Sequence, residues 1–221
     1  MWSTDINVSA YYGPDLEPVF RPIGTDVSSP GTPKVVVQPQ YFNSPAIGLS
    51  LSRSFGDFVF QAEATYNPMK AGVVDQDLSV ALPQFPYEIK RFHAIRSSLG
   101  FNYFIPFGDI FEWHEGDAVF TVEWSRPTNF ASGLIKPLIQ DVLIMRIEDT
   151  FIDNSLKVTF TSILDITEVC YILMPEVSYQ FDNGISLSAA YAYIGGEGTS
   201  FIGLYSDNDL VKIKVRYEYK I

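Results

Sequence analysis

The C-terminal stretch constrains the fold most. Val211, Ile213, Val215, Tyr217, Tyr219 and Ile221 alternate without a break with Lys212, Lys214, Arg216, Glu218 and Lys220. Side chains of a strand point to opposite faces in turn, so one face is apolar and aromatic while the other carries a row of charges. Other segments repeat the pattern. Phe58, Phe60, Ala62, Ala64 and Tyr66 alternate with Val59, Gln61, Glu63 and Thr65, and Ala118, Phe120, Val122 and Trp124 with Val119, Thr121, Glu123 and Ser125. Aromatics gather near the strand ends. A soluble sheet of this size has no single core that could take up all of these apolar faces. Lipid outside and polar groups inside accommodate them, so the expected fold is all-β, an antiparallel up-and-down transmembrane β-barrel.

With 221 residues and no Pro/Gly/Ser-rich linker, residues 1–221 read as one barrel domain. The 13 Tyr and 17 Phe would furnish aromatic girdles at two membrane interfaces. The longest apolar runs fall well short of the roughly 20 residues a helical span needs, so any bilayer crossing uses strands. A net charge of -11 excludes nucleic acid as a partner. The lone Cys170 excludes an intrachain disulfide and fits no zinc spacing. Met1 to Asp5 shows neither a basic n-region nor an apolar h-region, which leaves a mature start or the C-terminal part of a longer chain as the two expectations.

Along the chain, Trp2 to Tyr12 reads as a first strand and Gly13 to Lys34, with five prolines, as a large loop. Val35 to Phe42 and Ala46 to Arg53 form one extended stretch broken by Pro39 and Pro45, and Ser54 to Asp57 is a turn. A strand follows to Tyr66, then a long connection from Asn67 to Ile89 and a strand from Lys90 to Ile105. Pro106 to Gly116 is an aromatic-rich turn holding Phe107, Phe111 and Trp113. Arg126 to Ile139 reads as loop with a helical piece from Leu134 to Ile139. Turns at Asp153 to Ser155, Asp165 to Glu168 and Asp182 to Gly184 separate the later strands, the last being the strongest hairpin signal. The count is about ten strands, even as bacterial barrels require, with long connections alternating with short ones. The barrel is either complete at ten strands or part of a larger one.

Gly203 to Asp209 running into Val215 to Tyr219, and Phe55-Gly56-Asp57 leading to Gln61 to Tyr66, resemble a family of proteobacterial outer-membrane barrels of unknown function, porin-like, the chain corresponding to its C-terminal portion. The resemblance implies the bacterial outer membrane as location. Implied partners are membrane lipid and lipopolysaccharide, the barrel-assembly machinery and envelope transport partners. It supplies no catalytic residue and no cofactor.

Glu63, Arg96, Glu123, Arg146, Glu148, Lys157, Glu176, Lys212, Lys214 and Arg216 fall on the polar faces and are expected to line the lumen, since an outward Arg or Lys near the bilayer midplane costs about 2–4 kcal/mol. They either fill a narrow barrel as ion pairs, Glu63, Glu123 and Glu176 with Arg96 and Lys214, or form a charged constriction. Ser186, Ser188, Ala190 and Ala192 leave room for the long cations of the next strand, which favours the filled interior. His93 and His114 are the only histidines. His93 and Ser97 share a strand face but stand roughly 13 Å apart, too far for a catalytic hydrogen bond. Asp75, Asp77, Glu197, Asp207 and Asp209 match no calcium-loop spacing, and Gly195 to Gly198 lacks the helix a phosphate cradle needs, so it reads as a flexible loop. No metal, cofactor or enzymatic activity is expected. The function expected is a porin-like channel or the membrane part of an export or uptake assembly, with an outer-membrane lipid-modifying enzyme or a soluble β-barrel around an apolar ligand as the rivals.

Overall fold

The computed structural model describes residues 4–15, 17–26, 34–76, 84–110, 117–135, 139–197, 202–206 and 208–217. Their strands are β1 (Thr4–Pro14), β2 (Val19–Asp26), β3 (Lys34–Gln40), β4 (Asn43–Phe55), β5 (Phe58–Val73), β6 (Ile89–Ile105), β7 (Ala118–Asn129), β8 (Val142–Phe151), β9 (Leu156–Asp165), β10 (Cys170–Gln180), β11 (Ile185–Gly196) and β12 (Leu210–Tyr217). Ten of them form one antiparallel sheet in the order β1-β4-β5-β6-β7-β8-β9-β10-β11-β12, and β2 and β3 form a separate ribbon. Every neighbour in the large sheet is thus the next strand in sequence once the ribbon is set aside. Among the described residues no ladder joins β1 to β12, so the ten-stranded sheet is open there. No described helix is long and apolar enough to cross a membrane.

Prolines misled the sequence reading in one consistent way. The span Gly13 to Lys34 is not all loop, because β2 lies inside it and holds Pro22, opposite Val37, at a register shift between Pro22 and Gly24. A two-stranded ribbon consists only of edges, where a missing N–H leaves no ladder bond broken in a sheet interior. The stretch from Val35 to Arg53 divides between the ribbon and the main sheet, so the β2–β3 hairpin is an excursion from the β1–β4 connection. Asp15 N donates to Phe42 O at 2.9 Å across its base. β5 continues through Pro68 to Val73, past a bulge between Asn67 and Lys70. β7 continues through Pro127 to Asn129. The ends of the expected helical piece, Leu134 and Ile139, make isolated bridges to Val74 and Thr128; residues 136–138 lie outside the described ones. Pro106 to Gly116 contains a helical turn, Phe107–Ile110, and Phe111 and Trp113 lie outside the described residues.

The tight turns gather at one end of the sheet. Gly56 and Gly184 take the left-handed backbone at φ 58° and 83°, and Asn183 Oδ1 accepts from Ile185 N at 3.1 Å. The β8–β9 turn uses left-handed Ile152, Asp153 and Asn154 instead of glycine. At the other end lie the ribbon, the β5–β6, β7–β8 and β11–β12 connections, and the short β9–β10 turn.

Register sorts the side chains into two faces. A straight row runs Thr4, Arg53, Phe60, Phe101, Val122, Met145, Ser162, Leu173, Tyr193 across the paired strands. Its neighbours on that face include Val8, Leu49, Ala64, Leu99, Ile147, Val177, Leu187 and Ile213. Apart from Arg53 near the turn end, Arg126 near the loop end and hydroxyls such as Ser97 and Ser162, this face is apolar across the ten strands, and it is the exposed one. Leu99, Phe160, Val177 and Leu187 are 42–48% exposed even in inner strands, and Val8 and Ile213 on the edges reach 72% and 71%. Buried side chains lie mostly behind the other face: Ser44, Thr159, Asp165, Cys170, Ala190 and Ala192 are all 8% exposed or less. Burial is inverted relative to a water-soluble sheet.

Candidate functional site: the polar face and its loop-end cavity

All ten charged residues singled out in the sequence lie on this second face. Glu63 stands opposite Ser98 and Ser50, Arg96 opposite Thr65 and Pro127, Glu123 opposite Gly100 and Ile144, and Glu176 opposite Thr159 and Ala190. Arg146 and Glu148 on β8 share it with Lys157 on β9, through Thr161, Thr159 and Thr150. Lys212, Lys214 and Arg216 face Ala190, Ser188 and Ser186. Small residues therefore do flank the long cations, as their spacing suggested.

The ion pairs differ from those expected. Glu148 is held between Arg146 and Lys157. Arg96 pairs not with a sheet glutamate but with Glu17, in the β1–β2 connection, at 2.5 Å. Glu63, Glu123, Glu176 and Lys214 make no ion pair among the described residues. Glu63 lies diagonally across the β5–β6 ladder from Arg96, whose guanidinium is taken by Glu17, whereas Glu123 stands level with Gly100, four residues along β6 from Arg96, and Glu176 lies three strands beyond Glu123.

The Arg96–Glu17 pair sits in a cavity of about 620 Å³ at the loop end, lined among others by Tyr11, Ser44, Thr65, Asn67, Arg96 and Asn129. Lys70 reaches into it just beyond the β5 bulge. Its Nζ lies 2.8 Å from Asp15 Oδ2 and 3.1 Å from Glu17 Oε2. Asn67 Nδ2 donates to Ser44 Oγ at 3.0 Å, and buried Phe92 forms an apolar part of the wall. Burial by itself would raise the Glu17 pKa, but the hydrogen bond and charge of Arg96, with Lys70 behind them, bring it from 4.5 to about 2. Asp15, Glu17 and Lys70 escaped the sequence reading because both segments looked like loop. Lys70 was legible only to a reading that carried the β5 alternation past Pro68 with one residue of bulge.

The exposed face carries a second constellation at the loop end. Arg126 Nε and Nη2 donate to the two oxygens of Asp141 at 2.7 and 2.9 Å, Trp124 Nε1 donates to Oδ1 at 2.9 Å, and the Arg126 guanidinium lies 4.7 Å from the Trp124 ring centroid. The Arg126 hydrogen bonds hold the Asp141 carboxyl below its ordinary range against a smaller opposing effect of burial, with Trp124 adding to the lowering. His93 belongs to the same rim: its Nδ1 is 2.6 Å from the Tyr66 hydroxyl, with the rings stacked at 6.0 Å. Ser97 Oγ donates to Arg126 O at 3.4 Å, so neither side chain is aimed at the other.

Among the acidic loop residues, Asp209 accepts from the Tyr191 hydroxyl and from Ile194 N, and Asp75 N donates to Gly133 O. Asp77, Asp207, His114 and Gly198 lie outside the described residues. Gly195 and Gly196 end β11 and are not loop. Asp165, Glu168 and Cys170 bring one ligand atom each within 4.8 Å of one another. The Asp165 oxygens are already engaged, Oδ1 by Thr167 N and Glu168 N at 3.1 and 3.0 Å and Oδ2 by Gln140 Nε2, so the carboxylate shapes the β9–β10 turn. The chain matches no family model, no curated protein and no solved structure. Its site therefore stands on its own geometry.

Proposed function

We propose that this chain is a non-enzymatic outer-membrane β-barrel protein, a porin-like channel or the membrane part of an envelope export or uptake assembly, whose exposed apolar face meets lipid and whose polar face lines a lumen. One observation carries the reading: a predominantly apolar face runs over ten strands, is solvent-exposed, has its arginines Arg53 and Arg126 toward its two ends, and is bracketed by two aromatic rows. Tyr12, Tyr66, Trp124, Tyr171 and Tyr193 lie toward the loop end, and Phe58, Phe101, Tyr103, Phe120 and Tyr179 toward the turn end. Phe58 stacks on Tyr103 at 4.5 Å and Phe101 meets Phe120 edge-on at 6.3 Å. Tyr171 and Tyr179 on one face of β10 are separated by about 26 Å of strand, which at a tilt of about 40° spans about 20 Å of height and approaches the roughly 25 Å apolar band of such barrels once the girdle rings are included.

On this reading β1 and β12 close the barrel. With ten strands in a meander the two edges run antiparallel, and each carries an apolar row on the same face. Lipopolysaccharide and phospholipid then surround the apolar face, and the barrel-assembly machinery inserts it. Spin labels at Ile213 and Val215, with Lys214 as the comparison, test the orientation. Relaxation by lipid-soluble oxygen at the first two and by a water-soluble reagent at the third is expected. The reverse pattern would transfer the support to a soluble sheet around an apolar ligand.

A further inference from the structure

The cavity at the loop end has a seat for a carboxylate, and the chain fills that seat itself. Lys70 and Arg96 project from neighbouring strands, β5 and β6, which are held by the longest ladder in the sheet. Their occupant comes from elsewhere: Glu17 lies in the β1–β2 connection, outside both sheets. One Glu17 oxygen meets Arg96 at 2.5 Å and the other meets Lys70 at 3.1 Å, so a single carboxylate bridges the two cations. Asp15 adds a second carboxylate on Lys70 at 2.8 Å.

Rigid cations and a tethered acid differ in what holds them. Strand pairing fixes Lys70 and Arg96 whatever sits between them. Asp15 and Glu17 are held there by the ion pairs and by the Asp15 N to Phe42 O bond. Arg96 and Glu17 are 56% and 43% exposed, so their pair is weakened by water, while Lys70 and Asp15, 19% and 17% exposed, form the drier anchor of the tether. Around them lie neutral hydrogen-bonding groups, Tyr11, Thr65, Asn67 and Asn129, in a space of about 620 Å³ that exceeds the needs of the two acids.

We infer that Lys70 and Arg96 form a binding site for a small dicarboxylate solute, and that Asp15 and Glu17 are a tethered competitor occupying it. A solute with two carboxylates reproduces both contacts: one group bridges Arg96 and Lys70, the other takes the place of Asp15. The carboxylates of Asp15 and Glu17 then leave the two cations. The site needs only the β5–β6 pairing and the cavity, so it stands whether or not the sheet closes around lipid.

Succinate is the probe, with succinamide as its uncharged counterpart, titrated calorimetrically into the full chain as purified. D15N/E17Q keeps the shape of the tether and removes its charge. It should bind succinate about tenfold more tightly than the unaltered chain, bind succinamide no better than before, and lose the gain when Arg96→Gln is added. E17Q alone retains the Asp15–Lys70 pair as an anchor and should show a smaller gain of the same sign, which guards against misfolding of the double variant. Equal succinate affinity in the unaltered chain and in a folded E17Q or D15N/E17Q protein would overturn the inference, as would binding of succinamide on a par with succinate. Loss of lipid exposure at Ile213 together with retained succinate binding would refute the membrane reading and leave this one standing.

Discussion

If β1 closes on β12, the register of the seam follows from the rest of the sheet. The straight row that begins at Thr4 arrives at Tyr193 on β11, and the β11–β12 register sets Tyr193 level with Asp209. A closed barrel displaces that row along the seam by its shear. For ten strands spaced about 4.8 Å apart with a rise of about 3.3 Å per residue, the usual tilt of about 35–45° corresponds to a shear of about 10–14, and the central value of about 12 gives a tilt near 40°. That value pairs Tyr12 with Ile213, Ala10 with Val215 and Val8 with Tyr217, apolar side chains meeting on the outer face. Cysteines at Val8/Tyr217 and at Tyr12/Ile213, introduced after Cys170→Ser, should form intramolecular disulfides on mild oxidation. A slip of two residues moves each Cα by about 7 Å, beyond the roughly 4.4–6.8 Å a disulfide spans, so the offset pair Ala10/Ile213 should remain reduced. The assay is the shift in gel mobility, with and without reductant, of protein folded in detergent. Disulfides that link two chains, or none in any register, would refute closure of this sheet on itself and point to further strands between the two edges.

Other predictions are more local. Ile213→Lys, midway along β12 on the exposed apolar face, should destabilise the detergent- or lipid-folded protein by about 2–4 kcal/mol in urea titration, while Lys214→Ile on the opposite face should not. Gly196→Ala should fail to fold normally or lose about 1–3 kcal/mol, because φ is +126° and an added Cβ would stand 2.4 Å from Cys170 Cα and 2.7 Å from Val169 O; a melting temperature equal to that of the unaltered chain would contradict the placement of β11. Since the folded Glu17 pKa is lowered from 4.5 to about 2, its stabilising contribution is complete above pH 4.5 and fades as pH falls toward 2. With discount for exposure it amounts to about 1 kcal/mol, and E17Q should flatten the chain's stability profile across that window. Asp141→Asn should disturb Trp124 emission by weakening the Arg126 pairing that positions it, and an unchanged spectrum would argue against the rim cluster.

Alternation alone determined much of this protein. A strand admits only two faces, so the row Val211 to Tyr217 against Lys212 to Arg216 fixed which side chains could share a surface before any partner strand was known. The same parity placed Glu63, Arg96, Glu123 and Glu176 together on one face, because antiparallel register preserves facing from strand to strand. Period two says nothing about what lies across the sheet or how a proline is accommodated. The bulge that carries β5 past Pro68 to bring Lys70 into the cavity, the ribbon built around Pro22, and the return of Glu17 to Arg96 all depend on residues distant in sequence. Each required the pairing of whole strands to bring its members together, and only the tertiary structure supplied that.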